Sequence, residues 1–378
     1  AVLNTPLPSS QVAEALWLMT AKARGGSHWV SNAACQIEQL DWAGQHLPVS
    51  LLQTSASTTA YTCSPYSAWI RYPRDELRQQ VAAPWQTLTA AAAAVALSPL
   101  AAMILRCGLD RAAIIGNHLV STNLYQPWHQ EQVASLPAVL RRQYPERPWM
   151  IRNLCHSLHH DTIEQLEQQG WLMLPARRIY LCDPADPAVW KHNHVKQDAK
   201  LLKRQDVSLI HHDQLQPADI PALRHLFRQV FIHKHSALNP DFSEDFFALC
   251  LETRFLQLFA LRYEGKLCGV LGLQREPHSG WVTTPLIGYD TSLPAKLGLY
   301  RHLMALLLDQ AREQQLRLHY SSGAAGFKMA RGGQGETEYS AIHLAHLPGC
   351  RQLTGQMLHR VLQQFAPPLL EKADSLRH

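Results

Sequence analysis

The segment that most constrains the fold of this chain spans residues 316–333, LRLHYSSGAAGFKMARGG. Apolar and polar residues alternate over its first five positions, which is the period of a half-buried strand. The pattern breaks at Ser-Ser-Gly, and a glycine-bounded turn holding Lys328 follows. An apolar strand at 284–289 and a helix at about 299–315 precede the segment. Such a turn can present backbone N–H groups and one cation to a reacting carbonyl, so we expect the chemistry of the protein here.

The bulk composition favours a folded protein of two domains. The chain has 378 residues, of which 46% are hydrophobic and 17% charged, values typical of a chain that folds around a core. The net charge of +5 permits an anionic partner, such as a CoA phosphate or an RNA backbone, without requiring one. Strands and helices alternate along the sequence, which predicts the α/β class.

The cysteines and the first residues bear on location. None of the eight cysteines forms a CxxC pair, and a chain of this length needs no disulfides to fold, so we expect reduced thiols. The first ten residues lack a basic region followed by an apolar run, so no signal peptide is predicted. Together these features predict a cytoplasmic protein.

One uncharged segment, residues 84–104, imitates a membrane span. It consists mostly of alanine and threonine, with Pro99 in its interior, and its summed hydrophobicity is poor for a span. We therefore expect a buried helix here and no membrane span.

The first half of the chain, residues 1–185, is predicted to form one α/β domain. Its predicted elements are helices at 10–23 and 161–169, the alanine-rich helix, and strands at 49–54, 68–72, 112–118, 149–154, 171–174 and 178–181. Two Asp-Pro pairs mark its end, and residues 186–205 are predicted to form a basic linker helix. Lys196, Lys200 and Lys203 share one face of that helix, for which a solvated surface is the favoured interpretation and a phosphate contact the alternative.

The second half, residues 206–378, shows a clearer pattern. Helices are predicted at 222–231 and 244–252, followed by a hairpin at 256–274 whose turn contains Gly265. A strand at 281–289 completes a meander before the long helix.

Two helices, a hairpin with an EGK turn, a strand, a long helix, a strand and a polar turn follow one another in GNAT acyltransferases, and residues 206–347 resemble that fold. The two-part layout, the basic stretch at the join and the ending HYSSGAAGFKMARGG resemble the Fem-type branch of this superfamily. That branch is related to aminoacyl-tRNA-dependent peptidyltransferases. The resemblance implies two tandem GNAT-like domains with mixed sheets flanked by helices, the first degenerate and the second catalytic.

The resemblance also implies catalytic residues. In the Fem-type branch a Phe-Lys pair after the fifth strand lies at the reaction centre, and Phe327-Lys328 matches it. Lys328 would then place positive charge near the oxyanion. Tyr320 or Tyr339 could protonate the leaving group, although each also fits a packing role. Asp290 could orient the incoming amine, and a turn cap explains it equally well.

The loop that binds the donor departs from the GNAT pattern. GNAT enzymes usually have Gln/Arg-x-x-Gly-x-Gly/Ala there, which cradles the CoA pyrophosphate at a helix N-terminus. The corresponding loop, DTSLPAKLGLYR at 290–301, has one glycine, Gly298, and no second. Lys296, Tyr300 and Arg301 flank it as candidate donor contacts. The departure weakens the case for a standard acetyl-CoA enzyme, and it is what the Fem-type branch tends to show, in which the donor can be an aminoacyl ester on tRNA.

Other classes of site find little support. The histidine pairs lack HExxH spacing and have no cysteine pair beside them, so no metal is predicted. No GxSxG, GxxxxGK[ST] or GxGxxG motif occurs, which excludes a nucleophile elbow, a P-loop and a dinucleotide fingerprint.

The sequence therefore predicts a transferase that moves an acyl or aminoacyl group onto an amine of a small molecule or peptide. No cofactor is expected to be tightly bound, with acyl-CoA or aminoacyl-tRNA as co-substrate, tRNA as a candidate partner and no DNA. Two alternatives stay open. One is an acyl-CoA-dependent N-acyltransferase of a biosynthetic pathway, and the other is a non-catalytic GNAT-like binding or scaffold protein.

Overall fold

The computed structural model describes residues 10–276 and 278–375, with side chains as far as residue 372. The predicted lack of a signal peptide rests on residues 1–10, of which the first nine lie outside the described residues. The strands are β1 Cys35–Trp42, β2 Gln45–Leu52, β3 Ala113–Ile115, β4 Trp149–Leu154, β5 Leu172–Cys182, β6 Val207–Ile210, β7 Gln257–Tyr263, β8 Lys266–Glu276, β9 Trp281–Tyr289, β10 Arg317–Ser322 and β11 Gln334–His343. The helices are α1 Ser10–Arg24, α2 Tyr72–Gln79, α3 Gln86–Cys107, α4 Gln130–Gln143, α5 His156–Gln168, α6 Asn193–Ala199, α7 Ile220–Arg228, α8 Glu244–Thr253, α9 Leu299–Glu313, α10 Ala325–Met329 and α11 Gly349–Ser375.

All of these strands belong to one mixed sheet in the order β1-β2-β3-β4-β11-β5-β10-β9-β8-β7-β6. Neighbouring strands run antiparallel except for β3 with β4 and β9 with β10, which are parallel. The α/β class with a mixed sheet is thus confirmed. Because β11 lies between β4 and β5, a strand from the second half of the chain is inserted between two strands of the first half. The domain boundaries at 185 and 205 stay a prediction.

Helices cover both faces of the sheet. Side chains alternate between the two faces along each strand, so a mostly apolar strand needs a packing partner on both sides. In β7, Leu258 and Ala260 pack in the cluster formed with α1, α7 and α8. Phe259 and Leu261 point to the opposite face and pack against α9. At the other end of the sheet, one face of β3 and β4 is covered by α4 and α5, and the other face by α3 and α11.

Several predicted elements are confirmed with their bounds. β4 spans Trp149–Leu154 and β9 spans Trp281–Tyr289, the ranges that the apolar runs predict. The β7–β8 hairpin turns at Glu264 and Gly265, with φ values of 48° and 78°. Two successive residues with positive φ are what a tight hairpin of matching twist requires.

The predicted strand at 68–72 is wrong, because the π-helix Ser67–Arg71 lies there and leads into α2. Trp69 and Ile70 are buried in this π-helix, and the indole Nε1 of Trp69 donates to the Pro175 carbonyl at 3.0 Å. A short run of apolar residues is compatible with a strand or with a buried helical turn, which is why the sequence does not separate the two here.

The alanine-rich helix exists as α3, but its predicted burial is wrong. Of its 22 residues, Ala93, Ile104 and Cys107 are buried. The physical reason is its place in the fold, since α3 packs on α2 and α11 at the outside of the molecule. By length and composition alone, the stretch Ala83–Cys107 is the one helix among the described residues that could cross a membrane.

Candidate active site

The sheet opens into a fork between β9 and β10. β9 and β10 pair through Trp281 with Arg317, Val282 with Leu318 and Thr283 with His319. Beyond Thr283 and His319, the described residues of these two strands form no further backbone pair with each other. At the branching point the Thr283 hydroxyl donates to the His319 carbonyl at 2.8 Å. A cavity of about 600 Å³ lies beyond it, lined by residues of both strands and of β4, β5, β11, α2 and the π-helix Gln229–His235.

Three β-bulges line this cavity. In β4, the register against β11 shifts by one residue around Arg152 and Asn153, and Asn153 has φ 62°. In β5, Pro175 pairs with Tyr339 and Arg177 with Glu338, which leaves Ala176 as the extra residue. A bulge tolerates a proline and turns neighbouring side chains to a new direction. The two strands predicted at 171–174 and 178–181 are therefore one strand, β5, with the bulge between them.

The third bulge ends β10 and positions the predicted lysine. Ser321, Gly323 and Ala324 all have positive φ, so the chain folds back tightly into α10. This brings the Lys328 Nζ to 2.7 Å from the carbonyls of both Tyr320 and Ser322. The two bonds use two of the three donors of an ammonium group. Lys328 is 5% exposed and lines the cavity.

The environment of Lys328 changes its acidity. Burial, assisted by the positive charge of Arg177, lowers the pKa of Lys328 to about 7. Removal from water disfavours the charged form of an amine, which is why burial acts in this direction. Near neutral pH this lysine therefore exists in both protonation states, as a group that moves protons during catalysis requires.

A buried ion pair lies beside Lys328. Arg177 Nε is 2.6 Å from Glu338 Oε1, and Arg177 Nη2 is 3.1 Å from Oε2. Although burial lowers the pKa of Arg177, the adjacent Glu338 raises it above its usual value. The Asn153 amide also donates to Glu338 at 3.1 Å, and the His319 Nε2 lies 3.8 Å from it. Burial, together with Arg177, holds the pKa of His319 well below its ordinary value, so this imidazole is neutral.

The loop after β3 completes the polar floor of the cavity. The Ser121 carbonyl accepts from the side chains of Asn153 and Arg177 at 3.1 and 2.9 Å. The Thr122 hydroxyl lies 3.0 Å from that of Ser321, which joins this loop to the end of β10. The cavity floor is thus held by hydrogen bonds between the two halves of the chain.

The aromatic residues of the predicted site lie together. The rings of Tyr300 and Phe327 are 4.8 Å apart, and the guanidinium carbon of Arg331 lies 3.5 Å from the Phe327 ring centroid. Tyr300 and Tyr320 line the cavity, and burial raises the pKa of Tyr300 to about 12 and that of Tyr320 well above its ordinary value. Both phenols therefore stay protonated.

Other predicted site residues lie away from the cavity. The Asp290 carboxylate accepts from the backbone N–H and the hydroxyl of Ser292, at 2.9 and 2.6 Å, which is a turn cap. Lys296 is exposed, and Gly298 begins α9 with φ 61°. Tyr339 faces the opposite side of β11 from Glu338 and packs edge-on against His156. Among the described residues that line the cavity, none of these four is included.

The predicted linker helix at 186–205 is not continuous, because α6 is flanked by the 3-10 helices Val189–Lys191 and Leu201–Lys203, and Asp198 connects this segment to the site. This residue of α6 is 2% exposed, and its carboxylate accepts from Arg301 Nε at 2.7 Å and Arg331 Nε at 2.5 Å. Arg331 in turn donates to the Phe327 carbonyl at 3.0 Å. The predicted donor contact Arg301 is therefore part of an ion-pair network that reaches α10, the short helix that holds Lys328.

Sequence reasoning missed four polar residues of the cavity, namely Arg152, Asn153, Arg177 and Glu338. A signal was available for two of them, because an Arg-Asn pair interrupts the otherwise apolar strand WMIRNL, all six residues of which are buried. A charged residue in a buried strand is rare unless it has a partner. The described residues contain no cluster of three or more His, Cys, Asp or Glu side chains suited to a metal ion.

Comparison with known proteins identifies the fold. The chain is similar to the crystal structure of FemX over 91% of its own length and 93% of that chain, with 7% identity and a TM-score of 0.52. L-PGS from Bacillus licheniformis aligns over 93% of this chain and 97% of that one, with 10% identity and a TM-score of 0.49. No protein-family model matches the sequence, and no curated protein matches it. The chain thus has the Fem-type, tandem GNAT-like fold that the sequence resemblance implies.

Proposed function

We propose that the protein transfers an aminoacyl or acyl group from an activated ester to an amine, at the fork between β9 and β10. The observation that carries this proposal is the placement of Lys328. Its Nζ is fixed at the end of β10 by two carbonyls, in a cavity of about 600 Å³, with a pKa lowered to about 7. A cavity of this size accommodates a small ligand or the reactive ends of two larger ones.

The proposed chemistry uses the third donor of Lys328. The amine attacks the ester carbonyl, a C–N bond forms, and negative charge develops on the carbonyl oxygen. The Lys328 ammonium stabilises this charge and donates a proton to the leaving oxygen as the C–O bond breaks. The proton released by the attacking amine returns to Lys328. A lysine with a pKa near 7 is a stronger acid than an ordinary lysine, which suits this step.

The loop before α9 favours an aminoacyl ester on tRNA over acyl-CoA as the donor. Backbone N–H groups of Leu293, Leu297 and Gly298 donate to carbonyls within the same loop. A pyrophosphate cradle needs such groups to point at the ligand. The exposed Lys196, Lys200 and Lys203 of the linker lie on the segment that Asp198 fixes against the site, so they form a cationic surface suited to a tRNA backbone.

A donor screen by thermal shift tests this proposal. Charged tRNA should raise the melting temperature by a few degrees at concentrations well above its Kd, and uncharged tRNA should do so less. In Lys328→Met, charged and uncharged tRNA should raise the melting temperature by the same amount. Lys266→Met, at the exposed hairpin turn, should keep the larger rise with charged tRNA. Stabilisation by CoA thioesters alone would assign the enzyme to the acyl-CoA-dependent class. Stabilisation by neither donor would contradict a transferase and favour a non-catalytic binding protein.

A further inference from the structure

Helix α3 presents an uncharged apolar surface to solvent. Residues 86–105 hold no charged side chain, and Leu88, Val95 and Leu105 are 61%, 74% and 53% exposed. At 1.5 Å per residue, the helix is about 33 Å long. A surface helix of a soluble protein carries polar residues on its outer face. An exposed apolar area of this length therefore marks a surface that another body covers.

Helix α11 extends the apolar area. Leu353, Met357, Phe365 and Leu369 recur at intervals of four or eight residues, and each is more than half exposed. Side chains four residues apart lie on neighbouring turns, so these residues form a stripe along the helix. Since α3 and α11 pack against each other over a shared buried cluster, both belong to one layer. The exposed apolar residues of these two helices are called the α3–α11 surface below.

The charges around the α3–α11 surface are mostly positive. On α2, α3 and α11, as far as residue 372, the charged residues that are exposed are four cations and one anion, Glu371. The cations are Arg78, Arg106, Arg360 and Lys372. A symmetric contact with a second copy of the chain would bring these cations towards one another. Anionic lipid head groups, in contrast, complement an apolar surface with a cationic rim.

Two further features fit a lipid surface. Trp85 precedes α3 and is 60% exposed, and tryptophan favours the level of the lipid head groups. The cavity opens beside this layer, because Glu76 and Gln79 of α2 and Leu370 of α11 line it. A bilayer that covers the α3–α11 surface would therefore lie next to the mouth of the cavity.

We propose that the α3–α11 surface docks the protein on an anionic lipid bilayer. The apolar side chains of α3 and α11 enter the acyl region, and the cationic rim contacts the head groups. The docked protein lies on the bilayer without crossing it, since α3 stays packed on α2 and α11.

Flotation with vesicles tests the proposal on the full chain. Wild-type protein is mixed with vesicles of phosphatidylcholine containing phosphatidylglycerol, or of phosphatidylcholine alone. It should float with the anionic vesicles, and more weakly with the neutral ones. Leu88→Glu with Val95→Glu should lower the partition coefficient by roughly tenfold per substituted side chain. The matched control is Val12→Glu with Met19→Glu, two exposed apolar residues of α1, which should bind as wild type does.

The outcomes separate lipid from other occupants. Each variant should keep a near wild-type melting temperature, because the substituted side chains are exposed. Wild-type protein that stays in solution with both vesicle types would overturn the proposal, as would equal flotation of the α3 variant. A wild-type dimer in light scattering that the α3 substitutions dissociate, without vesicle binding, would assign the surface to a second copy. The assay needs no donor or acceptor, so its result is independent of the proposed transferase activity.

Discussion

Arg177 and Glu338 form a buried two-bond ion pair that joins β5 to β11 across the floor of the cavity. The bulge at Ala176 accommodates Pro175 within β5 and sets Arg177 opposite Glu338 in the sheet. The Glu338 side chain is 2% exposed and that of Arg177 is 18% exposed, so loss of either partner would leave a largely buried charge unpaired. The pair also keeps the positive charge of Arg177 close to Lys328, where it contributes to the lowered pKa of the lysine.

Glu338→Gln should destabilise the protein strongly. The substitution leaves the largely buried Arg177 guanidinium without a counter-ion, and loss of one partner of a buried pair costs about 3–5 kcal/mol. Urea unfolding of both proteins measures this difference. Asp213→Asn, in the exposed pair with Arg254, is the control, with an expected loss below about 1 kcal/mol. An equal, small effect of both substitutions would show that the buried pair is not structural.

Lys328 should make stability depend on pH. Its pKa is 10.5 in the unfolded chain and about 7 in the native state, so between these values the unfolded chain holds more protons. Native stability relative to Lys328→Met should therefore rise as pH increases from 7 to 10.5, by on the order of 5 kcal/mol in total. Unfolding curves of both proteins across this range measure the difference. Parallel stabilities would mean that the lysine has an ordinary pKa.

Asp198→Asn should weaken catalysis through the turn that holds Lys328. The substitution removes the charge that Arg301 and Arg331 share, and Arg331 contacts Phe327 next to the lysine. We expect a lower kcat, with the pH at which activity declines unchanged, because the lysine itself is intact.

Asp309→Asn serves as the control for this prediction, since it alters the exposed pair with Arg312 within α9. Wild-type kcat for Asp198→Asn would contradict a positioning role. A displaced pH profile would mean that Asp198 acts on the pKa of Lys328 directly.

Replacement of Lys196, Lys200 and Lys203 by alanine should weaken tRNA binding. Each lysine that contacts a phosphate contributes close to one unit to the slope of log affinity against log salt. The triple variant should therefore show a shallower slope, measured by filter binding at several salt concentrations. Lys22→Ala with Lys266→Ala, at exposed positions elsewhere, should keep the wild-type slope. An unchanged slope in the triple variant would place tRNA on another surface.

Elements with strong local patterns are predictable from the sequence. The apolar runs of β4 and β9 and the glycine turn of the β7–β8 hairpin are all determined by residues close together in the chain. The Fem-type resemblance of Phe327-Lys328 leads to a lysine that lines the cavity, because its turn follows directly from Ser-Ser-Gly.

What the sequence misses depends on distant contacts. The strand β5 is a single element because β11, more than 150 residues later, pairs across the Pro175 bulge. Arg177 becomes a cavity residue only when Glu338 is opposite it. The uncharged, mostly apolar composition of α3 predicts that the helix is shielded from water. Composition alone does not distinguish burial in the protein core from a surface that a bilayer or another molecule covers. For this reason the helix is predicted correctly and its exposure is not.

An acyl-transfer assay with the wild type, Lys328→Met and Lys328→Arg tests the role of Lys328 directly. Mass spectrometry detects amide products formed from charged tRNA and a panel of amines. Wild-type protein should form an amide, with activity falling above pH 7 as Lys328 loses its proton. Lys328→Met should be slower by roughly 10²–10³-fold. Lys328→Arg should retain part of the activity and lose the decline above pH 7, because a guanidinium stays charged there. Wild-type turnover in Lys328→Met, or a pH profile that neither substitution changes, would contradict the assignment of this lysine and of the fork as the site of transfer.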